Sequence, residues 1–354
     1  MSNKSIIQPI EPSDFLKESA LSPVIDVRSP GEFAQGHVPG ATNIPLFTDA
    51  ERAMVGTLYV QMGREEAILK GLDFALPKTE WYIASLGKVL HQGRILLHCW
   101  RGGMRSAAMA ELFSKAGYEV ALLNGGYKAY RRFIREELAR PARIIVVGGY
   151  TGSGKTELLK AIASMGEQVV DLEALACHKG SSFGALGQPA QPDNEQFENN
   201  LYARWSKLDP TRIVWVEDES RMIGRITMPD PVVEHINNGM LIRVELDLTI
   251  RIERLVKEYA GYDRQLLSDA ISRISERLGG TRTHDAMIAL ENKQFDVVAA
   301  IVLAYYDQAY LFSMNRRKSK SVYDIQISGR NMEVDAARIV DFVYKTLGNG
   351  TNLP

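Results

Sequence analysis

The sequence predicts an α/β chain of two units, and three observations carry that expectation. Short apolar runs recur along the 354 residues with helical segments between them, the alternation that builds a parallel sheet flanked by helices. Two of these runs end in glycine-rich loops that open directly into helical spacing, one at Cys99 and one at Gly149. The length suits two domains, and a composition of 45% hydrophobic and 24% charged residues is that of an ordinary globular chain.

Val24 to Val27 reads as the first buried strand, with Pro30-Gly31 starting a turn and a short helix. Phe47 to Gln92 is long for a connection and mixes helical spacing with Tyr59, Phe74, Trp81 and Tyr82. It reads either as a lid or interdomain contact, or as a helical hairpin around a small core of its own. Arg94 to Leu97 is a buried strand and Ala107 to Tyr118 a helix, and between them stands His98-Cys99-Trp100-Arg101-Gly102-Gly103-Met104-Arg105-Ser106. A cysteine so placed has its sulfur inside a ring of backbone amides at the positive end of a helix dipole. Arg101 and Arg105 add to a field that favours thiolate over thiol and makes Cys99 a nucleophile. An inert buried cysteine is the alternative, but two arginines and two glycines make poor core lining. Cys99 and Cys177 are the two cysteines of the chain and form neither a metal-type spacing nor a disulfide framework, which suits a reducing compartment.

Tyr127 to Arg140 (YKAYRRFIREELAR) reads as a basic helical connector ended by Pro141. It is either a solvated face or a nucleic-acid contact made through Arg131, Arg132 and Arg135. Arg143 to Val147 is the next buried strand, followed by a loop and a helix at Glu157 to Ser164, and Gly149 to Thr156 fits G-x4-G-K-T. In such a loop Gly149, Gly152, Ser153 and Gly154 let backbone amides wrap a diphosphate, Lys155 supplies a point charge, and Thr156 is placed to hold Mg²⁺. Further strands are expected at Gln168 to Val170, Ile213 to Val216, Leu241 to Leu246 and Val322 to Ile327. Asp171 and the three carboxylates Glu217, Asp218 and Glu219, at strand ends, are candidates for the metal side of the loop or for a substrate loop, although acidic residues at a strand end are ordinary. No metal-ligand set is certain. Cys177 and His178 fall in a polar stretch, Asp171 to Gly184 (DLEALACHKGSSFG), where a substrate loop is expected and Cys177 itself reads as incidental. Arg273 to Arg282 and Asn315 to Lys320 are the other basic segments. Because the net charge is -1, a polyanion must be met by a local basic patch. No stretch approaches the ~20 apolar residues of a membrane span, and the first ten residues lack the plan of a signal peptide, so a cytoplasmic location without membrane contact is expected.

Five blocks in order, Asp26-Val27-Arg28, Gly36 to Ala41, Asn43-Ile44-Pro45, the Cys99 loop and Asn124-Gly125-Gly126-Tyr127, resemble a rhodanese domain. The resemblance implies an α/β domain over residues 10–135 whose cysteine carries sulfur or selenium. Five residues separate Cys99 from Arg105, one more than in the usual sulfurtransferase and closer to rhodanese-fold phosphatases, so the cradle suits a larger, phosphate-like anion. The remainder, residues 136–354, would be a P-loop NTPase-like parallel-sheet domain. With the phosphate loop and the DLEALA and GSSFG blocks, nearly the whole chain resembles the bacterial tRNA 2-selenouridine synthase family.

That resemblance implies a transferase that replaces sulfur by selenium in 2-thiouridine at the wobble position of lysine, glutamate and glutamine tRNAs. Selenophosphate and geranyl diphosphate would be co-substrates, S-geranyl-2-thiouridine the intermediate, and an enzyme supplying selenophosphate a candidate partner. No tightly bound cofactor is expected. Cys99 would take selenium, with Arg101, Arg105 and the amides around Gly102 and Gly103 stabilising the departing phosphate, while the phosphate loop serves geranyl diphosphate. A plain sulfurtransferase and a rhodanese-fold phosphatase stay open as alternatives. The phosphatase needs a general acid, and no Asp or Glu occurs between His98 and Ala110.

Overall fold

The computed structural model describes residues 7–314 and 321–348, so the basic run Asn315 to Lys320 lies outside the described residues. The chain divides into two compact units, Met1–Leu138 and Ala139–Pro354, each holding a five-stranded sheet whose strands all pair in parallel.

In the first unit β1 (Ile7–Ile10), β2 (Val24–Asp26), β3 (Thr42–Asn43), β4 (Arg94–His98) and β5 (Glu119–Leu123) are ordered β1-β5-β4-β2-β3. Around them run α1 (Pro12–Glu18), α2 (Pro30–Gln35), α3 (Asp49–Gln61), α4 (Arg64–Ala75), α5 (Thr79–Val89), α6 (Met104–Lys115) and α7 (Gly126–Leu138). The inner strands are continuous apolar runs because both of their faces are covered, and Ile25, Ile95, Leu96, Leu97 and Val120 are fully buried. α2 begins at Pro30 behind a capping box, in which the Ser29 hydroxyl accepts from the Glu32 amide and the Glu32 carboxylate accepts from the Ser29 amide.

The long connection after Phe47 is helical throughout, but it does not enclose a core of its own. α3 buries no residue and α4 only Ala67 and Gly71, whereas Tyr82 and Leu86 of α5 join the core of the sheet. The Tyr82 hydroxyl donates to the Leu46 carbonyl at 2.7 Å, while Tyr59 and Trp81 stay exposed. The basic segment after Tyr127 also differs from the expected connector. It forms α7, the last helix of the first unit, and buries Tyr127, Tyr130, Arg131, Ile134 and Leu138. Arg131 is therefore withdrawn from the surface and cannot meet a phosphate; Arg132 and Arg135 remain exposed.

In the second unit β6 (Arg143–Gly149), β7 (Gln168–Val170), β8 (Ile213–Glu217), β11 (Met240–Glu245) and β12 (Val322–Gln326) are ordered β12-β11-β6-β8-β7. A short antiparallel pair, β9 (Met222–Ile223) and β10 (Ile226–Thr227), follows β8. The helices are α8 (Lys155–Ser164), α9 (Leu172–Ala176), α10 (Asn194–Trp205), α11 (Asp230–Asn238), α12 (Leu248–Tyr259), α13 (Arg264–Ser272), α14 (Ser275–Leu278), α15 (Gly280–Glu291), α16 (Phe295–Met314) and α17 (Met332–Gly348). Ile145 and Val147 of β6 enter a core with Leu158 and Ile162 of α8 and Ile339 and Val343 of α17. α12 to α16 hold a second apolar cluster away from the sheet, around Leu267, Ile271, Leu290, Val298 and Val302. Because β6 lies between β8 and β11, the strand order reverses beside it, and a crevice opens at its carboxyl end.

Burial separates the arginines of α7. Arg131→Ala is expected to lower the stability of the first unit by about 2 kcal/mol, and Arg132→Ala by under about 0.5 kcal/mol, in urea unfolding followed by near-ultraviolet circular dichroism. Equal effects would contradict the assigned face of the helix.

Candidate functional site

Cys99 follows β4 directly, and α6 starts at Met104, so its sulfur lies at the head of a helix. Gly126 holds the loop down: a Cβ there would stand 2.4 Å from the Gly102 nitrogen and 2.6 Å from the Cys99 carbonyl, and its φ of +62° already favours glycine. The Tyr127 and Lys128 amides donate to the carbonyls of Cys99 and Trp100 at 2.9 Å. Beneath the loop the buried Arg28 is bidentate to Asp26 and packs 3.8 Å from the centre of the Tyr127 ring. Asn43 donates to the carbonyls of Asp26 and Arg28, and Arg28 to that of Gly36. The blocks that carry the rhodanese resemblance are thus the floor and clamp of the cysteine loop.

Burial pushes the Cys99 thiol up. The Ser106 hydroxyl 3.2 Å away, the Arg105 charge and the amides of Arg101 and Gly103 outweigh it, and the thiol lies below its ordinary value. Ser106 is buried and was not singled out by its sequence; its hydroxyl also lies 3.0 Å from the Gly103 carbonyl. Arg105 is not free to swing, because Glu32 takes it at 2.7 and 3.3 Å, with Arg52 of α3 3.7 Å from the same carboxylate. Burial opposes ionisation of Glu32, yet the Arg105 pair holds it below the usual carboxylate range, so this acid near the loop is a fixed anion rather than a proton donor. Arg101, Gly102 and Gly103 are exposed at the rim.

The second site lies at the end of β6. Gly149, Gly152, Gly154, Lys155 and Thr156 line a cavity of about 1320 Å³. A Cβ on Gly149 would meet the Val244 carbonyl at 2.6 Å, so the strand can turn into the loop only without a side chain there. Lys155 donates to the Gly149 carbonyl at 3.2 Å. The Ser153 hydroxyl oxygen is buried without a hydrogen-bond partner, an orphaned group inside an anion cradle. Tyr310 of α16 reaches the same loop, its hydroxyl accepting from the Gly149 amide at 2.9 Å and donating to Asp218 at 3.3 Å.

Of the carboxylates named from the sequence, Asp218 and Glu219 line the cavity. Asp171 instead caps α9 by accepting from the Ala174 amide, and the buried Glu217 accepts from the Leu172 amide; neither lines the cavity. Glu173 does, together with Glu219. Thr156 donates to Glu173 at 3.0 Å, and the two glutamates share a hydrogen bond; burial raises both, Glu219 further through the Glu173 charge, against the pull of Lys155. Among the described residues no group of three or more His, Cys, Asp or Glu side chains is arranged to hold a metal ion.

The same cavity is lined by apolar side chains, Leu255 and Tyr259 of α12, Leu267 of α13, Leu290 of α15 and Val298 and Val302 of α16, alongside the charged Glu253, Lys257 and Glu258 of α12. α16 departs from the expectation that no segment resembles a membrane span. Phe295–Phe312 is apolar and long enough by composition, with a mean hydropathy of 1.3, yet only 17% of that window is buried. Its apolar residues line the chamber, and Arg251 holds it in place by pairing with Asp307 while donating to the Thr151 carbonyl at 2.9 Å.

A parallel sheet with the phosphate loop after its central strand, behind a rhodanese-type cysteine unit, matches what comparison with known proteins finds. A family model described as the tRNA 2-selenouridine synthase AAA domain matches residues 142–337, and the rhodanese-like domain model matches residues 11–133. The chain belongs to the tRNA 2-selenouridine synthase family. A family member from Nitrosomonas europaea is 34% identical over 349 residues, covering 84% of this chain and 90% of the relative. Those from Shewanella sediminis and Ectopseudomonas mendocina are 33% and 36% identical, covering 89% and 84% of this chain and 95% and 88% of their own lengths. The Cys99 loop and the Gly149–Thr156 loop lie in these two matched domains and open into α6 and α8.

The Ser106 contact predicts a pH effect. Because the thiol lies below its ordinary value, alkylation of Cys99 by iodoacetamide should persist to lower pH than for an ordinary cysteine. Ser106→Ala should move the acid limb to higher pH, read by peptide mass spectrometry that counts Cys177 separately. An unmoved limb would leave Arg105 and the amides as the whole cause.

Proposed function

We propose that this chain acts on tRNA and converts 2-thiouridine at the wobble position to 2-selenouridine through an S-geranyl intermediate. The observation that carries the reading is that one cavity is lined both by the glycine loop with Lys155 and Thr156 and by Leu, Val and Tyr side chains of α12, α13, α15 and α16. A nucleoside triphosphate would set a polar ribose and base against that lining, at a desolvation cost, whereas a prenyl diphosphate offers an anion to one end and hydrocarbon to the other. The unpartnered Ser153 hydroxyl supports an anion in the cradle.

In the first step the 2-thiocarbonyl sulfur attacks C1 of geranyl diphosphate, the carbon–sulfur bond forms, and the electron pair of the broken carbon–oxygen bond leaves on diphosphate. Lys155 and the amides of Gly152 to Thr156 receive that charge, and the proton lost from the base passes to water. Thr156 and Glu173 present oxygens suited to Mg²⁺, which would complete its shell with diphosphate and water and neutralise further charge. In the second step the Cys99 thiolate attacks the phosphorus of selenophosphate, the phosphorus–selenium bond breaks and its electron pair leaves on hydrogen selenide, while Arg101, Arg105 and the amides around Gly102 and Gly103 stabilise the phosphoryl group, which water then releases from the sulfur as phosphate. Selenium then displaces the geranyl thiol at C2, a far better leaving group than the original thiocarbonyl sulfur. A sulfurtransferase would leave the apolar chamber without a role, and a phosphatase would need an acid that the ionised Glu32 does not supply. The proposed acceptors are the lysine, glutamate and glutamine tRNAs of the cytoplasm, with selenophosphate delivered by its synthesising enzyme. The exposed Arg132, Arg135, Arg277 and Arg282 are the proposed backbone contacts.

The test is nucleoside mass spectrometry of tRNA after reaction with each variant. Cys99→Ser should abolish 2-selenouridine while S-geranyl-2-thiouridine accumulates. Lys155→Ala should lower geranylation on the order of a hundredfold, and RNA geranylated beforehand should restore selenation. Normal selenation by the cysteine variant, or normal geranylation by the lysine variant, would remove the corresponding step.

A further inference from the structure

The chamber behind the phosphate loop has a direction, and α16 runs along it. Tyr310 touches the loop through the Gly149 amide, Tyr306 accepts from the Ser182 amide at 2.9 Å, and Val302, Ala299 and Phe295 follow on the cavity side at helical spacing. At about 1.5 Å of rise per residue, Ala299 stands roughly 16 Å below Tyr310 and Phe295 about 22 Å below it. α12 runs the opposite way, from Arg251 at the loop to Tyr259, and the Arg251–Asp307 pair keeps the two helices in register. The far end is lined by well-covered side chains. Val302, Ala299, Val298, Leu290 and Leu267 line the cavity, yet each exposes no more than 8% of its surface.

An apolar slot anchored at one end by an anion cradle and stopped at a fixed depth by a side chain measures the length of whatever chain hangs from the anion. We infer that α16 is a chain-length ruler, with the small side chain of Ala299 setting the depth that accepts a geranyl group and Phe295 closing the slot against longer prenyl chains. The inference rests on reading the cavity as a prenyl diphosphate site, and adds to it which residues choose among prenyl donors. Ala299 is the informative position because it leaves space that any larger residue would fill, two helical turns from Tyr306 and away from the reacting carbon.

The full-length protein is given dimethylallyl, geranyl and farnesyl diphosphates in competition with a 2-thiouridine RNA, and the S-prenyl nucleosides are quantified. Ala299→Phe should depress geranyl relative to dimethylallyl transfer on the order of tenfold or more, and Phe295→Ala should raise farnesyl relative to geranyl transfer by a similar factor. Binding of inorganic diphosphate, measured by calorimetry, should be unchanged in both, which shows that the loop remains folded. If the parent prefers geranyl diphosphate and both variants keep the parent's ranking while binding inorganic diphosphate normally, the ruler is overturned. If the parent itself binds geranyl diphosphate no better than inorganic diphosphate, the prenyl reading fails and the ruler with it. Opposite shifts in the two variants, one toward the shorter donor and one toward the longer, are the supporting result, since a merely loosened helix would not move the preference in both directions.

Discussion

Both candidate sites depend on one constraint: the first amides of an α-helix have no partner inside the helix. At α6 and at α8 a buried parallel strand delivers the chain into a helix through glycine, so that these amides face a common point. In the first unit the point is occupied by the sulfur of Cys99, which the amides of Arg101 and Gly103 help to ionise. In the second it is left for a ligand, with the Ser153 hydroxyl unpartnered beside it. In the proposed reaction the same field serves a nucleophile in one case and a leaving group in the other.

What surrounds each cradle separates the two chemistries. The cysteine loop rests on a fully buried Asp26–Arg28 pair, and Arg105 is itself fixed by Glu32, so its charges are held in place before any substrate arrives. Such fixed charges suit an anion that is attacked or released at the sulfur. The phosphate loop, in contrast, faces carboxylates on one side and hydrocarbon on the other. Glu173 and Glu219 crowd one another beside Lys155 and Thr156, while Val298 and Val302 of α16 both line the cavity and pack into the apolar cluster of α13 and α15.

α16 carries two apolar surfaces. Val298, Ala299 and Val302 face the cavity and are buried, whereas Val297, Leu311 and Phe312 on the rest of the helix are exposed. Its ties to the loop, through Tyr310 to Gly149 and Asp307 to Arg251, connect the length of the chamber to the position of the cradle. The exposed apolar surface of α3 and α4, with Val60 and Leu69 mostly in solvent, has no comparable partner within the first unit.

Where chemistry depends on neighbours in sequence, the chain announced it. The strands at Val24, Arg94, Arg143, Gln168, Ile213, Met240 and Val322 lie where apolar runs predict them, and the two loops where glycine follows a strand, because period and turn chemistry are local. β1, β3 and β5 escaped such a reading: β3 has two residues and β1 is largely exposed at the sheet edge, whereas β5 is as long as β4 but follows closely on the end of α6. Charge runs misled in the opposite way, since spacing alone did not show that Arg131 turns inward on α7 while Arg132 turns outward. Glu217 and Glu219 are two residues apart in one stretch, yet the first is buried against α9 and only the second faces the cavity. Ser106 and Glu32 acquired their roles by approaching Cys99 and Arg105, and the chamber exists only because α12, α13, α15 and α16 meet around it. The sequence alone determined the two loops, since a phosphate cradle and a helix-start thiolate need only contiguous backbone. Tertiary structure decided what each loop faces, because burial, pairing and cavity walls are made by residues far apart along the chain.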